Sequence, residues 1–147
     1  MTDWTIRQAV PDDTPHVVEV KRRWIDETPW MPMLHDRADM ERYWGRQLAE
    51  SHALCGISQG QVCGFAVRDG EWLNALYLNA GNRNQGLGAA LLAEAKRQTP
   101  ILRLWAFQAN HGALQFYTRH GFAEVKRTDG DNEEGLPDVQ MEWRSNA

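Results

Sequence analysis

Apolar and polar positions along the chain change period several times, and each change marks an element. Trp4-Thr5-Ile6-Arg7-Gln8-Ala9-Val10 alternates and predicts a first strand. Pro11-Asp12-Asp13 is a helix start, since either aspartate can cap the helix after it. Val17, Val20, Trp24 and Ile25 then recur at helical spacing through about Asp26. Residues 27–35 include Pro29 and Pro32 and make a poor helix, yet they carry Trp30, Met31, Met33 and Leu34. An irregular segment this apolar should be covered by the core, a partner subunit or a ligand. Residues 36–50 return to helix, with Met40, Tyr43, Trp44 and Leu48 on one side. Residues 52–58 and 61–68 predict a hairpin about Gln59-Gly60, in which Ser58 faces Gln61 and Cys55 faces Gly64. Residues 71–78 predict the next strand, residues 86–98 a helix followed by Pro100, and residues 101–107 a strongly β-prone run. Asn110 caps a short helix through Phe116 and Tyr117 that ends at Gly121. Residues 122–127 and 139–143 predict two closing strands around a polar loop over 128–138. The order β-α-α-β-β-β-α-β-α-β-β is α/β with hairpins, so its sheet must be mixed and not fully parallel.

The totals bound this picture. The 147 residues are the size of one domain with a real core, so residues 1–147 are expected to form a single domain. Hydrophobic residues make up 42% and charged residues 24%, a globular balance. The formal net charge of -4 argues against nucleic acid as a partner, because its binders usually show a basic footprint. No signal-peptide pattern and no apolar run long enough for a membrane span is read in the sequence, so a cytoplasmic location with no membrane partner is the expectation. Cys55 and Cys63 sit in no metal-type cluster and are expected to be small buried hydrophobes; no metal is expected.

The candidate chemistry centres on residues 73–95. An apolar run ending at Leu78 feeds a polar turn, then Arg83-Asn84-Gln85-Gly86-Leu87-Gly88, then an Ala/Leu-rich helix. The first turn of a helix carries unpaired N–H groups and the positive end of the dipole, so it attracts phosphates. Gly86 and Gly88 let a ligand approach the backbone, and Arg83 sets a fixed positive charge beside them. A pyrophosphate fits there. The Rossmann fingerprint is excluded because its third glycine position is Leu91 and the next strand ends in Phe107-Gln108 without an acid. A Walker loop is excluded because Gly-Lys-Ser/Thr is absent.

At Arg83-Asn84-Gln85-Gly86-Leu87-Gly88 the chain resembles the GCN5-related N-acetyltransferases (GNAT superfamily), whose Arg/Gln-x-x-Gly-x-Gly/Ala element holds the pyrophosphate of acetyl-coenzyme A. Asn110, Ala113, Phe116-Tyr117 and Gly121-Phe122 resemble the second half of that signature, and the element order agrees over essentially the whole chain. The resemblance implies a mostly antiparallel sheet of about seven strands with four helices, splayed between the fourth and fifth strands. It implies acetyl-coenzyme A as co-substrate, with Arg83, Asn84, Gln85, Gly86, Leu87 and Gly88 on the pyrophosphate. The pantetheine arm would pair with backbone around Leu76 and Leu78 as an added strand does. Leu78 would polarise the thioester carbonyl through its backbone amide, an effect of roughly 3 kcal/mol elsewhere. Asn110 would hydrogen-bond the arm, and Tyr117 would protonate the leaving thiolate.

The acceptor half is less determined. An attacking amine must first lose a proton. Glu71 lies near the position where the family often places a base, although one residue of offset would turn it to the wrong face. His35, His111 and Glu27 are weaker options, and Asn74 and Tyr77 share the strand without being strong bases. Trp30, Met33, His35 and Asn74 are the candidate substrate contacts, with the segment Trp30 to Leu34 as an aromatic and thioether wall. The acidic loop, with Asp129, Asp131, Glu133, Glu134 and Asp138, could attract a cationic amine. The expected reaction is direct acetyl transfer to a primary amine of a small molecule. A non-catalytic acetyl-coenzyme A sensor, or transfer to a protein or peptide, stands as the alternative. The family often forms homodimers, and the sequence leaves that state open.

Overall fold

The computed structural model describes residues 3–146. The elements run β1 (Trp4–Gln8), α1 (Thr14–Asp26), α2 (Arg37–Glu50), β2 (His52–Ser58), β3 (Gln61–Asp69), β4 (Trp72–Leu78), α3 (Leu87–Lys96), β5 (Ile101–Phe107), α4 (His111–Arg119), β6 (Ala123–Thr128) and β7 (Asp138–Arg144). Single turns of 3-10 helix precede α1 at Pro11–Asp13 and follow β4 at Ala80–Asn82. The seven strands lie in the order β1-β2-β3-β4-β5-β7-β6. Every neighbouring pair is antiparallel except β4 and β5, which are parallel. This is the mixed, mostly antiparallel sheet expected, with four α-helices. No helix among the described residues is long and apolar enough to cross a membrane.

The helices pack on both faces of the sheet and build two cores. Val17, Val18 and Val20 of α1 and Met40, Trp44 and Leu48 of α2 cover Cys55, Phe65, Val67 and Ala75 on one face. Leu87, Leu91, Leu92 and Ala95 of α3 and Tyr117 of α4 cover Leu54, Ala66, Leu102, Leu104 and Met141 on the other. Each fully buried aliphatic or aromatic side chain contributes about 1.5–3 kcal/mol. At the start of α1, the buried Asp13 carboxylate accepts from both Arg7 guanidinium nitrogens at 2.8 Å and from the Val10 amide at 2.8 Å. The Arg7 hydrogen bond comes first among the causes that hold this carboxyl below its usual range. α2 starts as its sequence demands, with Asp36 accepting from the Asp39 amide at 2.8 Å.

One register differs from the two-residue hairpin rule. Ser58 faces Gln61 as expected, but Cys55 faces Phe65, and Gly56 faces Gly64. The shift falls between Gly56 and Ile57, where an irregularity adds a residue to one strand. Cys55 and Cys63 are free and buried, and burial pushes the Cys55 thiol up to about 12. Neither is a nucleophile under those conditions.

The functional geometry comes from the parallel step. β4 and β5 pair only at Trp72 and Arg103, next to an Arg103 N–H donated to the Glu71 carbonyl at 2.7 Å. From there β4 stays on β3 and β5 stays on β7, so the two strands diverge toward Leu78 and Phe107. The Asn79 N–H donates to the Cys63 carbonyl at 2.8 Å. Antiparallel ladders alternate, so Leu76 and Leu78 present their backbone groups away from β3, toward the gap.

Candidate active site

The gap between β4 and β5 opens into a cavity of about 540 Å³. Leu76 and Leu78 line it from β4, and Leu104, Trp105, Ala106 and Phe107 from β5. Arg83, Asn84, Gly86 and Gly88 close one end, and Asn110, Ala113, Phe116 and Tyr117 the other side. A cleft with an anion-binding loop at one end and two unpaired strand edges along it is shaped for a long, thin, anionic ligand.

The loop is built for the anionic end. Gly86 has φ of 86°, the left-handed region, and serves as the N-cap of α3 without any side-chain cap bond. The first N–H groups of α3 therefore stay available to a ligand. A Cβ on Gly88 would enter ordinary contact with Phe116 at 3.6 Å, so the helix start and α4 approach closely there. Arg83 donates to the Leu78 carbonyl at 3.0 Å and lies 3.6 Å from Glu27, which holds its charge over the mouth. Gln85 faces otherwise: its side chain donates to the Gly81 carbonyl at 3.1 Å, and its own carbonyl accepts from the Trp4 indole at 2.9 Å. Leu87 is fully buried in the core. Of the six loop residues expected on the ligand, Gln85 and Leu87 thus shape the loop and do not line the cavity.

Trp4 is a support that its sequence position marks only as a strand residue. Its indole ties β1 to the loop and sits 3.8 Å from where a Gly86 Cβ would be. A hydrogen bond of this kind contributes about 1 kcal/mol net. Trp4→Phe keeps an aromatic side chain but removes the donor and the indole edge beside Gly86, so isothermal titration should give about 5-fold or more weaker coenzyme A binding.

Tyr117 is 8% exposed and still reaches the cavity wall. Burial raises its phenol above the ordinary range, so it is protonated at neutral pH and has a proton to give. Asn110 has two duties. Its Oδ1 caps α4 by accepting from the Ala113 amide at 3.2 Å, which leaves its NH2 group for the cavity.

A second cavity, about 790 Å³, lies on the α1–α2 side. Its walls are Met31, Met33, Leu34, Met40, Tyr43 and Trp44, with Glu133 and Glu134 from the β6–β7 loop. The two cavities share Asn74, Tyr77, Trp105 and Phe107, which places their junction at the splayed ends of β4 and β5. Met33, His35 and Asn74 thus line this second cavity. Trp30 does not; it packs edge-on behind Phe107 at 5.7 Å and against Trp24 at 5.9 Å. Asn74 donates to Gln47 at 3.4 Å.

Glu71 is not brought to this junction. It precedes β4 at the closed end of the gap, pairs with Arg103 at 3.2 Å and lines neither cavity. Its offset from the strand removes it from the diverging ends. His111 is the exposed first residue of α4 and lines neither cavity. Among the acidic loop residues, Asp138 is buried and accepts from Thr128 and Asn132, a structural duty.

His35 closes the acceptor mouth. Its Nε2 lies 2.5 Å from Glu133 Oε1, joining the α1–α2 segment to the β6–β7 loop. The Glu133 hydrogen bond, then its charge, raises the imidazole above its ordinary value of 6.5. The bridge is therefore complete below that value and is lost as pH rises through the raised one. An NMR titration should find His35 titrating above 6.5, and Glu133→Gln should return it to the ordinary range.

Lys21, Trp24, Trp105 and Phe107 also line the cavities, and sequence motifs do not single them out. A signal for Lys21 exists: it lies on the same helical stripe as Val17, Val20 and Trp24, where a lysine is out of place.

Comparison with known proteins agrees with this geometry. Residues 27–145 match the family model described as an acetyltransferase (GNAT) domain. Peptidyl-lysine N-acetyltransferase YiaC of Escherichia coli (strain K12) is 27% identical over 148 residues, covering 94% of this chain and 95% of that protein. Peptidyl-lysine N-acetyltransferase YjaB of Salmonella typhimurium is 27% identical over 128 residues, covering 86% of this chain and 88% of that protein. The structure of yncA from Salmonella typhimurium with its cofactor acetyl-CoA shares the fold, with a TM-score of 0.76 at 18% identity over 99% of this chain and 96% of that one. The alternative of a non-catalytic binder gives way accordingly: the chain belongs to the GNAT acetyltransferases and is an acyltransferase.

Proposed function

We propose that this enzyme transfers an acetyl group from acetyl-coenzyme A to the side-chain amine of a lysine in a protein or peptide. The observation that carries the reading is the meeting of two cavities at Asn74, Tyr77, Trp105 and Phe107. One cavity suits a pyrophosphate and a thin arm; the other suits an alkyl amine. Acetyl-coenzyme A, when bound, supplies the acetyl group activated as a thioester. Arg83 and the first amides of α3 hold the pyrophosphate, and the NH2 group of Asn110 orients the arm. The Leu78 N–H donates to the carbonyl oxygen as charge builds on it. Tyr117 donates its proton to the departing sulfur.

The acceptor cavity supports lysine through its chemistry. Its thioether and aromatic walls match a four-carbon stem, and Glu133 and Glu134 at the lip attract an ammonium. Relatives named as peptidyl-lysine N-acetyltransferases support the same acceptor. This moves the acceptor from the small primary amine expected from sequence to a macromolecular one. The cavity's size favours the small amine as the second reading, since about 790 Å³ holds a compact molecule entirely.

The test is acetyl transfer followed by mass spectrometry, with acetyl-coenzyme A and two acceptor sets: lysine-containing peptides with blocked N-termini, and small primary amines. The reading expects mass gain on peptide lysines. Products only among the small amines would replace it with the second reading.

A further inference from the structure

The reaction needs the acceptor ammonium to become an amine at the junction of the cavities, and among the described residues no carboxylate or imidazole is shared by both cavities. The four shared side chains are Asn74, Tyr77, Trp105 and Phe107. The charged group that does reach this place is Lys21. Its Nζ donates to the Tyr77 hydroxyl at 2.7 Å and stands 4.0 Å from the centre of the Tyr77 ring and 4.6 Å from that of Trp24. Lys21 is half-buried and lines the acceptor cavity, and no carboxylate of the described residues pairs with it. The cavity's other titratable and charged groups are Tyr77 from β4, Tyr43 and Asp39 from α2, His35 from the α1–α2 segment, and Glu133 and Glu134 from the β6–β7 loop. Across the junction the cofactor cavity holds Tyr117, Arg119, His120 and Arg83, the last paired with Glu27. His120 ends α4 with its ring 4.6 Å from that of Phe116 and is not among the side chains the two cavities share. Asp39 is tied to Arg42, and Glu133 to His35. The acids therefore gather at the lip, and the Lys21 ammonium, with no carboxylate partner among the described residues, sits against Tyr77 and Trp24.

We infer that Lys21 takes the place of a general base: its positive charge, held by Tyr77, Trp24 and the walls around them, drives the proton off the acceptor ammonium as it moves from the acidic lip to the junction. The inference rests on the acetyl-transfer reading and adds to it how the nucleophile is made. A like charge nearby disfavours the charged form, and weak screening between aromatic walls extends the effect over several ångströms. The proton passes to solvent through the open lip. The neutral nitrogen then forms its bond to the carbonyl carbon, the carbon–sulfur bond breaks, the sulfur takes the Tyr117 proton, and the new amide sheds the nitrogen's surplus proton to solvent, from which Tyr117 is reprotonated. No other reactant is needed. The π faces of Tyr77 and Trp24 hold the lysine in place without neutralising it, which an acid partner would do.

The profile of kcat against pH reports ionisations in the bound state, so it separates this role from a structural one. With a lysine peptide, Lys21→Met should move the acid limb of kcat upward by about 1–2 pH units, toward the free amine value of about 10.4. Lys21→Arg keeps a cation and should restore the wild-type limb. A second readout needs no turnover. Calorimetry of peptide binding, in the presence of coenzyme A and in two buffers of different ionisation enthalpy, should show proton release for wild type and Lys21→Arg and none for Lys21→Met. An unmoved limb in Lys21→Met overturns the inference. So does a loss confined to acceptors bearing a carboxylate, which would make Lys21 an anchor for an anion. Absence of any acetylated product from the wild type with every amine defeats the acetyl-transfer reading itself, while equal proton release by wild type and Lys21→Met defeats the role of Lys21 alone.

Discussion

Tyr117→Phe should lower kcat by about 100-fold or more while leaving coenzyme A affinity within about 2-fold, the range expected when a general acid is lost. The ring is buried between Phe116 and Phe122, with centroids 5.3 Å away in each case, and the phenylalanine keeps both contacts. What disappears is one hydroxyl on the wall of the cofactor cavity. Burial raises the phenol, and the same apolar surroundings raise a thiolate held beside it, so transfer between them is nearer balance than solution values imply. Because only the hydroxyl is removed, the thermal midpoint should hardly change. Thiol release under saturating acetyl-coenzyme A measures the effect. Equal turnover in wild type and variant would remove Tyr117 from the proton path.

The second large effect is expected at the loop. Gly86 holds φ of 86°, and a β-branched residue there is an outlier. Gly86→Val should cost about 1–2 kcal/mol if the loop keeps its shape. The added Cβ meets nothing nearer than the Trp4 ring at 3.8 Å, so the cost is conformational and not a clash. The cheaper response is a reshaped loop, which misdirects the first amides of α3 and breaks the Trp4 bond. Coenzyme A binding should weaken by about 10-fold or more, and the melting midpoint should fall by a few degrees, in line with the roughly 2–4 °C per kcal/mol of domains this size. The contrast with Trp4→Phe is informative, since both act on one loop through different atoms.

The range of the forces involved decides how much of the molecule is legible in its residues. The element order and the anion loop are readable because period, caps and glycines act locally. Asn110 caps its helix where the sequence places it, whereas Asp13 precedes α1 but gives its carboxylate to Arg7 and the Val10 amide and not to the first amides of the helix. The β4–β5 divergence is implied only by resemblance, since nothing local to Leu73 or Leu104 announces which strand each will abandon. The Cys55 register departs from the simple hairpin count because an irregularity beside Gly56 shifts it. Trp30 is apolar and well placed in sequence, yet Phe107, distant in the chain, stands between it and the acceptor cavity. Glu71 is one residue outside its strand, and Arg103 claims it. Lys21 is hard to see in the sequence because a single lysine within an apolar stripe looks like a solvated exception until Tyr77 and Trp24 are placed around it.

The chemistry turns on one junction, where an acetyl donor from the β4–β5 gap meets an amine from the α1–α2 side. A crystal structure with a bisubstrate analogue, coenzyme A joined through its sulfur to the side-chain nitrogen of a lysine peptide, tests it most directly. The expected complex has the pyrophosphate on the amides that open α3 beside Arg83, the linking carbon near the Leu78 N–H and the Tyr117 hydroxyl, and the lysine stem between Tyr77 and Phe107 with the peptide leaving past Glu133. A peptide branch that runs outside the Met31–Met40 cavity, or a pyrophosphate away from Gly86 and Gly88, would contradict it.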